Sequence, residues 1–442
     1  MCNVFSVFTI KILTSLFYKY SIMILNKILG PEYDCLWTSG FIERRKKIYH
    51  EGRFPNNWLD YVDIQDEQLY YVEFMGIDTF QTYKLEDYVP DIFINKIRNE
   101  NVKLMLHCTG HGYHEIVEEI YLNIVVRDKV PIHNIIISSE SFDLDVAANY
   151  VSKKYNVPPF RLRVTLEFEA YGNHYAKNLS EFRFANGEKL VQNSFRKNNY
   201  VKKYTSLNGY YREHRAAIVF FLASFDLLDK GYVSYNIKES GAVDTGENVY
   251  NHLIYCMWNC PEGLELLEKN KEKIFPIQHI LLDTDYNQTQ KNLAEIMLEH
   301  NTYFNQSYFT ILTETNFPFM RYPTCDFNEG VLWNNVGRLY SEKIFRCMVY
   351  KHPFIATGPK DFLKVLHKLG YKTFNEIIDE SYDDEPNDSR RLYLIAQEAK
   401  RLCSLNDDEL EDFLLKAKAI CDHNFEILKS RNQFAFDLPF IV

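Results

Sequence analysis

Residues 308–359 change pattern three times, and few folds accommodate those changes in that order. Over 308–316, β-branched and aromatic residues dominate an alternating run, which suits a pleated, half-buried strand. Pro318, Pro323, Gly330 and Gly337 then break 317–339 into loop. Across 340–350 the apolar residues return at helical spacing with Ser341 placed as an N-cap, so a helix is expected. It must stop before Lys351-His352-Pro353, because the residue preceding a proline avoids helical backbone. Residues 353–359 read as a short buried strand ending in the Gly358-Pro359 turn. Strand, loop, helix and strand form the repeat of a parallel α/β sheet. Ligands of such sheets sit beyond the carboxyl ends of the strands, where loops meet helix N-termini. Glu314, closing the first strand, and Glu342, opening the helix, are therefore expected to face one crevice.

The chemistry of that crevice follows from the residue types. A carboxylate there can accept both hydroxyls of a ribose, while Lys343 and the helix N-terminus oppose phosphate charge. A second unit of the same kind lies upstream. Residues 204–208 read as a strand ending in Asn208, and 209–215 lead through Gly209, Arg212, His214 and Arg215 into an apolar helix at 216–228. A strand, a glycine turn and a cationic helix start can cradle a diphosphate with backbone amides and guanidinium groups. The chain has no GxGxxG fingerprint and no GxxxxGK[ST] loop, which speaks against dinucleotide and motor-ATPase readings.

The first half shows the same alternation. Residues 68–75, 102–108 and 135–140 are strand-like, and helical spacing begins at Glu115 and at Leu144. His107, His111, His114 and Glu115 crowd the end of the second of these strands, where an imidazole or carboxylate could take a proton from a hydroxyl. Glu140 and Asp143, at the next strand end, are weaker candidates. The spacing of His107, His111, His114 and Glu115 is not that of the His-Glu-x-x-His zinc motif. Alternation continues over 163–169, a basic run follows at Lys189, Arg196, Lys197, Lys202 and Lys203, and 239–273 reads as an insertion containing helix. Asp283 and Asp285 form an Asp-x-Asp pair of the kind that holds a divalent cation, but they fall outside the expected crevice loops. No metal is therefore expected. Beyond Gly358-Pro359 come an amphipathic helix at 360–369 with Gly370 as C-cap, an acidic stretch at 379–388, and two helices over 389–430, the second capped near Asn406.

Composition narrows the classes. At 442 residues with 46% hydrophobic residues, two packed domains are affordable and global disorder is excluded. A net charge of -10 disfavours nucleic acid as a general partner. The nine cysteines show no zinc spacing and read as reduced thiols, which favours a cytoplasmic protein. Residues 1–30 are apolar but interrupted by Lys11, Lys19 and Lys27, so neither a spanning helix nor a signal peptide is expected. The alternatives for this segment are weak contact with a membrane surface, a packed extension, or residues upstream of a start at Met23.

Glu314-Thr315-Asn316, then Ser341-Glu342-Lys343-Ile344, then Pro353-Phe354-Ile355 and Gly358-Pro359 resemble the donor-binding motif of α-1,3-fucosyltransferase-like enzymes and related viral and bacterial glycosyltransferases. Asn208 followed by Arg212, His214 and Arg215 is similar to the same family, as are Gly370-Tyr371-Lys372-Thr373-Phe374 and Asp379-Glu380-Ser381-Tyr382-Asp383. The resemblance covers about 207–382. It implies a GT-B-like fold of two Rossmann-like, doubly wound α/β domains with a C-terminal helical return. The divisions expected are an extension at 1–30, an acceptor-side domain at 31–200, a nucleotide-sugar domain at 201–400 and a returning helix at 401–442. The implied activity is metal-independent, inverting transfer of a sugar from a nucleotide-sugar, with a GDP-sugar favoured, to a hydroxyl acceptor such as a glycan. Asn208, Arg212, His214, Arg215, Glu314, Asn316, Glu342 and Lys343 would bind the donor, and His111, Glu115 or His107 would supply the base. Two other readings stay open: a non-catalytic carbohydrate- or partner-binding protein of the same fold, and a DNA-base glycosyltransferase using the basic run at 189–203.

Overall fold

A computed structural model describes residues 69–74, 84–85, 91–100, 102–108, 115–182, 189–208, 211–236, 246–257, 259–277, 279–280, 282, 301–315, 317, 338–432 and 435–437. Two five-stranded, mainly parallel sheets with helices packed on them make this an α/β protein. In the first sheet, β1 (Leu69–Phe74), β2 (Lys103–Cys108), β3 (Ile135–Ser139) and β4 (Arg161–Thr165) lie side by side in chain order, all parallel. The run Ile135-Ile136-Ile137 is buried on both faces, as a central parallel strand requires. Leu104 pairs with Ile135 and Leu106 with Ile137. Helices α1 (Asp91–Asn99), α2 (Glu115–Ile120) and α3 (Leu144–Tyr155) alternate with these strands. Ile97, Ile116, Ile120, Leu144 and Val151 pack with them in one core, each contributing about 1.5–3 kcal/mol by leaving water. α3 stops at Asn156, whose left-handed backbone (φ 52°) is the usual helix-terminating conformation.

Alternation over 163–169 predicts one strand, but the strand ends at Thr165 and α4 (Glu167–Lys177) begins two residues later. The reason is tertiary. Ala170, Tyr171, Tyr175 and Ala176 are buried in a core they share with the second half of the chain.

The second sheet has the order β7 (His279–Ile280), β6 (Gly231–Asn236), β5 (Lys202–Asn208), β8 (Ser307–Thr313), β9 (Phe354–Thr357), parallel except for β7 at the edge. α5 (Glu213–Ser224) follows β5 and is buried on every side from His214 to Ser224. An all-apolar helix needs cover on its outer face. α6 (Gly246–Cys256) and α7 (Pro261–Lys269) supply it, with Val249, Leu253, Met257 and Leu267 fully buried. The segment expected as an insertion is therefore part of the core. α8 (Glu342–Tyr350) starts at its Ser341 cap and ends at Lys351 in left-handed conformation. α9 (Phe362–Lys368) leads to Gly370, whose φ of 90° suits glycine.

The chain closes with α10 (Asp388–Cys403) and α11 (Asp407–Ser430), the latter opened by a capping box of Asn406 and Glu409. α11 packs against α4 and α8, and the last strand, β10 (Ala435–Asp437), pairs antiparallel with β4. Asn173 of α4 donates to the carbonyls of Leu428 (2.6 Å), Lys429 (3.1 Å) and Arg431 (3.0 Å), filling acceptors that a helix C-terminus leaves open. Arg431 Nε donates to Oε1 of the fully buried Glu169 at 2.9 Å, and the Tyr371 hydroxyl donates to the same oxygen. Gly172 lets α4 approach α8 closely, since a Cβ there would lie 3.0 Å from that of Phe345. The C-terminal helix is thus fastened to the first helix after β4.

Candidate functional site

The second sheet reverses its direction of growth between β5 and β8: the chain moves from β5 outward to β6, then from β8 the other way to β9. Crossovers between parallel strands keep one hand, so helices on either side of a reversal occupy opposite faces. α5 accordingly packs with α6, α7 and α10, and α8 with α4 and α11. Their N-termini part above the carboxyl ends of β5 and β8, which is where open α/β sheets hold ligands.

Asn208, at the end of β5, is fully buried and ties three strands together. Its backbone amide donates to Ser234 Oγ of β6 at 2.9 Å, and its side-chain Oδ1 accepts from Thr313 Oγ1 of β8 at 2.7 Å. α5 opens after Arg212, whose backbone is extended and whose side chain caps nothing. Arg212 is exposed, with Nη1 donating to the Tyr211 carbonyl at 3.0 Å, while Arg215 in the first turn is buried. His214 is buried too. Its Nε2 donates to the Glu314 carbonyl at 2.8 Å, and its ring stacks on Phe317 at 5.2 Å. Burial, then the charge of Arg215, hold its pKa well below the ordinary histidine value, so the imidazole is neutral with its proton on Nε2.

Across the crevice, Ser341 caps α8 by accepting from the Lys343 amide at 3.3 Å. Lys343 Nζ lies 2.9 Å from Glu342 Oε1 and donates to Thr315 Oγ1 and Ser341 Oγ at 3.1 Å each. Side chains of Lys343 and Glu342 keep 19% and 22% of their surface exposed. Burial opposes ionisation of Glu342, but Lys343 and Arg346 outweigh it and hold the carboxyl at about 2. Glu314 differs. It has no exposed surface, its carboxylate accepts from Ser341, and burial pushes its pKa up against the pull of Lys343. Guanidinium and ammonium groups, two helix N-termini and one ionised, partly exposed carboxylate together suit a polyanion carrying a neighbouring diol.

Of the residues expected to bind a donor, Asn208, Arg212, His214, Arg215, Glu314, Glu342 and Lys343 gather at this reversal. Asn208, His214 and Glu314 are framework within it, whereas Arg212, Glu342 and Lys343 reach solvent. Asn316 lies outside the described residues, as do His111, His114, Asp283 and Asp285. His107 falls in β2 and Glu115 opens α2, but their side chains are also outside the described set. Among the described residues, no group of three or more His, Cys, Asp or Glu is placed to hold a metal ion. No helix among them is long and apolar enough to cross a membrane, and 1–30 lie outside the set.

Sequence reasoning misses the contact that joins the two sheets here. Asp143, opening α3 beyond β3, accepts from the Arg338 backbone amide at 2.6 Å and from Arg338 Nε at 2.9 Å, while the Phe142 amide donates to the Arg338 carbonyl at 3.0 Å. Phe142 also meets Tyr340 edge to face at 5.3 Å. No local signal pairs residues 195 positions apart. Asp143 is thereby occupied, which weakens it as a base candidate. In the basic run, Lys197 pairs with Asp407 at 2.6 Å, Lys202 Nζ donates to the Asp229 carbonyl at 2.5 Å, and Lys203 sits over the Tyr308 ring. Those cations are engaged within the fold. No protein-family model matches the chain, and no curated protein matches it significantly.

Proposed function

We propose that the protein is a GT-B-like glycosyltransferase that moves a sugar from a nucleoside-diphosphate sugar to a hydroxyl acceptor. The observation that carries this reading is the reversal between β5 and β8, flanked by two helices whose first turns carry Arg212, Arg215, Glu342 and Lys343. In the proposed reaction, Arg212, Arg215 and Lys343 hold the diphosphate and stabilise the negative charge that develops as the nucleotide leaves. Glu342 accepts the ribose hydroxyls. The acceptor hydroxyl attacks the anomeric carbon from the opposite side, its proton passing to a base from the first half of the chain, for which His107, His111 and Glu115 are the candidates. Inversion and a preference for a GDP-sugar rest on the resemblance of 207–382 to fucosyltransferase-like enzymes. The contact of Asp143 with Arg338 supports a crevice bordered by both sheets, because it sets the carboxyl end of β3 beside the segment that leads into α8.

Thermal denaturation with GDP, UDP, CMP and ADP tests the reading. A ligand bound only by the native state stabilises it by about 2.7 kcal/mol at a hundredfold excess over its dissociation constant. The expected result is a rise with a nucleoside diphosphate, largest for GDP. No rise with any of the four at millimolar concentration would overturn it.

A further inference from the structure

Glu314 lies one residue beyond β8 and touches three other elements. Its backbone amide donates to the Thr357 carbonyl at the end of β9 (3.0 Å), and its own carbonyl accepts from His214 Nε2 in the first turn of α5 (2.8 Å). Its carboxylate accepts from the backbone amide (3.4 Å) and hydroxyl (2.5 Å) of Ser341, the cap of α8. One residue therefore sets the start of both helices that flank the reversal. The Ser341 hydroxyl has a single hydrogen and gives it to Glu314, so its lone pairs turn toward the amide (3.3 Å) and Nζ (3.1 Å) of Lys343, which both donate to it.

A carboxylate with no exposed surface, engaged by Ser341, is not open to a ribose. Glu342, next in chain to Ser341 and partly exposed, is. We propose that Glu314 is a positioning residue: it holds the α5 and α8 N-termini in fixed relation and, through Ser341, aims Lys343 at the phosphates of the ligand. This inference rests on reading the crevice as a nucleoside-diphosphate site.

Two substitutions cut the same link from opposite ends. Glu314→Gln keeps the shape and removes the charge, and Ser341→Ala leaves Glu314 in place. Affinities are measured for GDP, 2′-deoxy-GDP and guanosine in the parent, in each variant, in Lys343→Ala and in the Glu314→Gln/Lys343→Ala double variant. Both single substitutions are expected to weaken GDP about tenfold, as the loss of one charge-assisted contact would. Guanosine affinity and the ratio of GDP to 2′-deoxy-GDP should stay within about twofold of the parent, while Glu342→Gln collapses that ratio. The double variant should be no weaker than Lys343→Ala, because residues acting in series are not additive. A changed ratio in Glu314→Gln, or additive losses in the double variant, would overturn the positioning role. A ligand-free measurement separates this from failure of the site reading. Hydrogen exchange of the first-turn amides of α8 should quicken in Glu314→Gln and Ser341→Ala alike, and unchanged exchange in both would sink the inference even if GDP binds the parent.

Discussion

Strands β1 to β4 are laid across the first sheet in chain order, whereas the second sheet is built outward from β5 and then, after β8, in the opposite direction. Both sheets use the same strand-and-helix alternation. In the first, α2 and α3 pack against each other, so their starts share one side. In the second, α5 and α8 turn to different neighbours on either side of the ends of β5 and β8. Polar residues collect at those ends. Asn208, His214, Arg215, Thr313, Glu314, Ser341 and Thr357 are all buried there. Order of strands, more than any one residue, makes a sheet end into a site.

The largest effect should come from breaking the contact that fastens the end of α11 to α4. Arg431→Met leaves the buried Glu169 without its guanidinium, and removing one partner of a buried pair costs about 3–5 kcal/mol. Burial already pushes the Glu169 carboxyl up against the pull of Arg431. Without that charge the folded state holds a proton still more tightly than the unfolded chain, so stability falls as pH rises and the penalty is larger at pH 8 than at pH 5. Thermal melts at both pH values check this. Two transitions, one of them at the parent temperature, would mean that the sheets are independent units.

Next in size is Lys343→Ala, which should weaken nucleoside-diphosphate binding by about 1.5–3 kcal/mol, roughly tenfold to a hundredfold, by calorimetric titration. Equal affinity in parent and variant would move the ligand away from the reversal.

A smaller effect belongs to the outer end of the second sheet. Burial pushes Glu380 up to about 7, opposed by Thr373 and the Phe374 amide. Because this value lies above the ordinary carboxyl range, the group's contribution to stability is complete at low pH and is lost as pH rises through about 7. Glu380→Gln should therefore gain on the parent between pH 5 and pH 8 in thermal midpoint, with GDP affinity unchanged. A constant difference across that range would show that Glu380 titrates normally.

The smallest effects on donor binding should come from the candidate bases in the first half of the chain. His111→Ala and Glu115→Ala are expected to alter nucleotide affinity by less than about twofold, and substitution of the true base to lower the transfer rate about a hundredfold or more. Excess EDTA should likewise leave nucleotide affinity within about twofold, because cationic side chains and helix N-termini already oppose the phosphate charge. Loss of binding in chelator, restored by manganese, would put a metal beside the diphosphate instead.

Local pattern suffices for much of this protein. The apolar run at Ile135, the helix from Leu144, the Ser341 and Asn406 caps and the Gly370 turn each depend on residues within a few positions of one another. Short-range sterics and capping hydrogen bonds decide them, so they are legible without a structure. For the candidate site, residue types and strand ends point to Arg212, Arg215, Glu342 and Lys343, but not to how deeply each carboxylate is buried. Along the chain Glu342 ranks first and Glu314 second as the ribose carboxylate. Their burial differs because Glu314 meets Ser341 across 27 residues and His214 across 100, and is sealed from water by those contacts. The same holds for the helix at Glu167, whose buried Glu169 finds Arg431 across 262 residues, and for α6 and α7, which read as an insertion until α5 needs covering. Backbone preference is set by neighbours in sequence, but burial and charge pairing are set by neighbours in space, and only the packed chain brings those together.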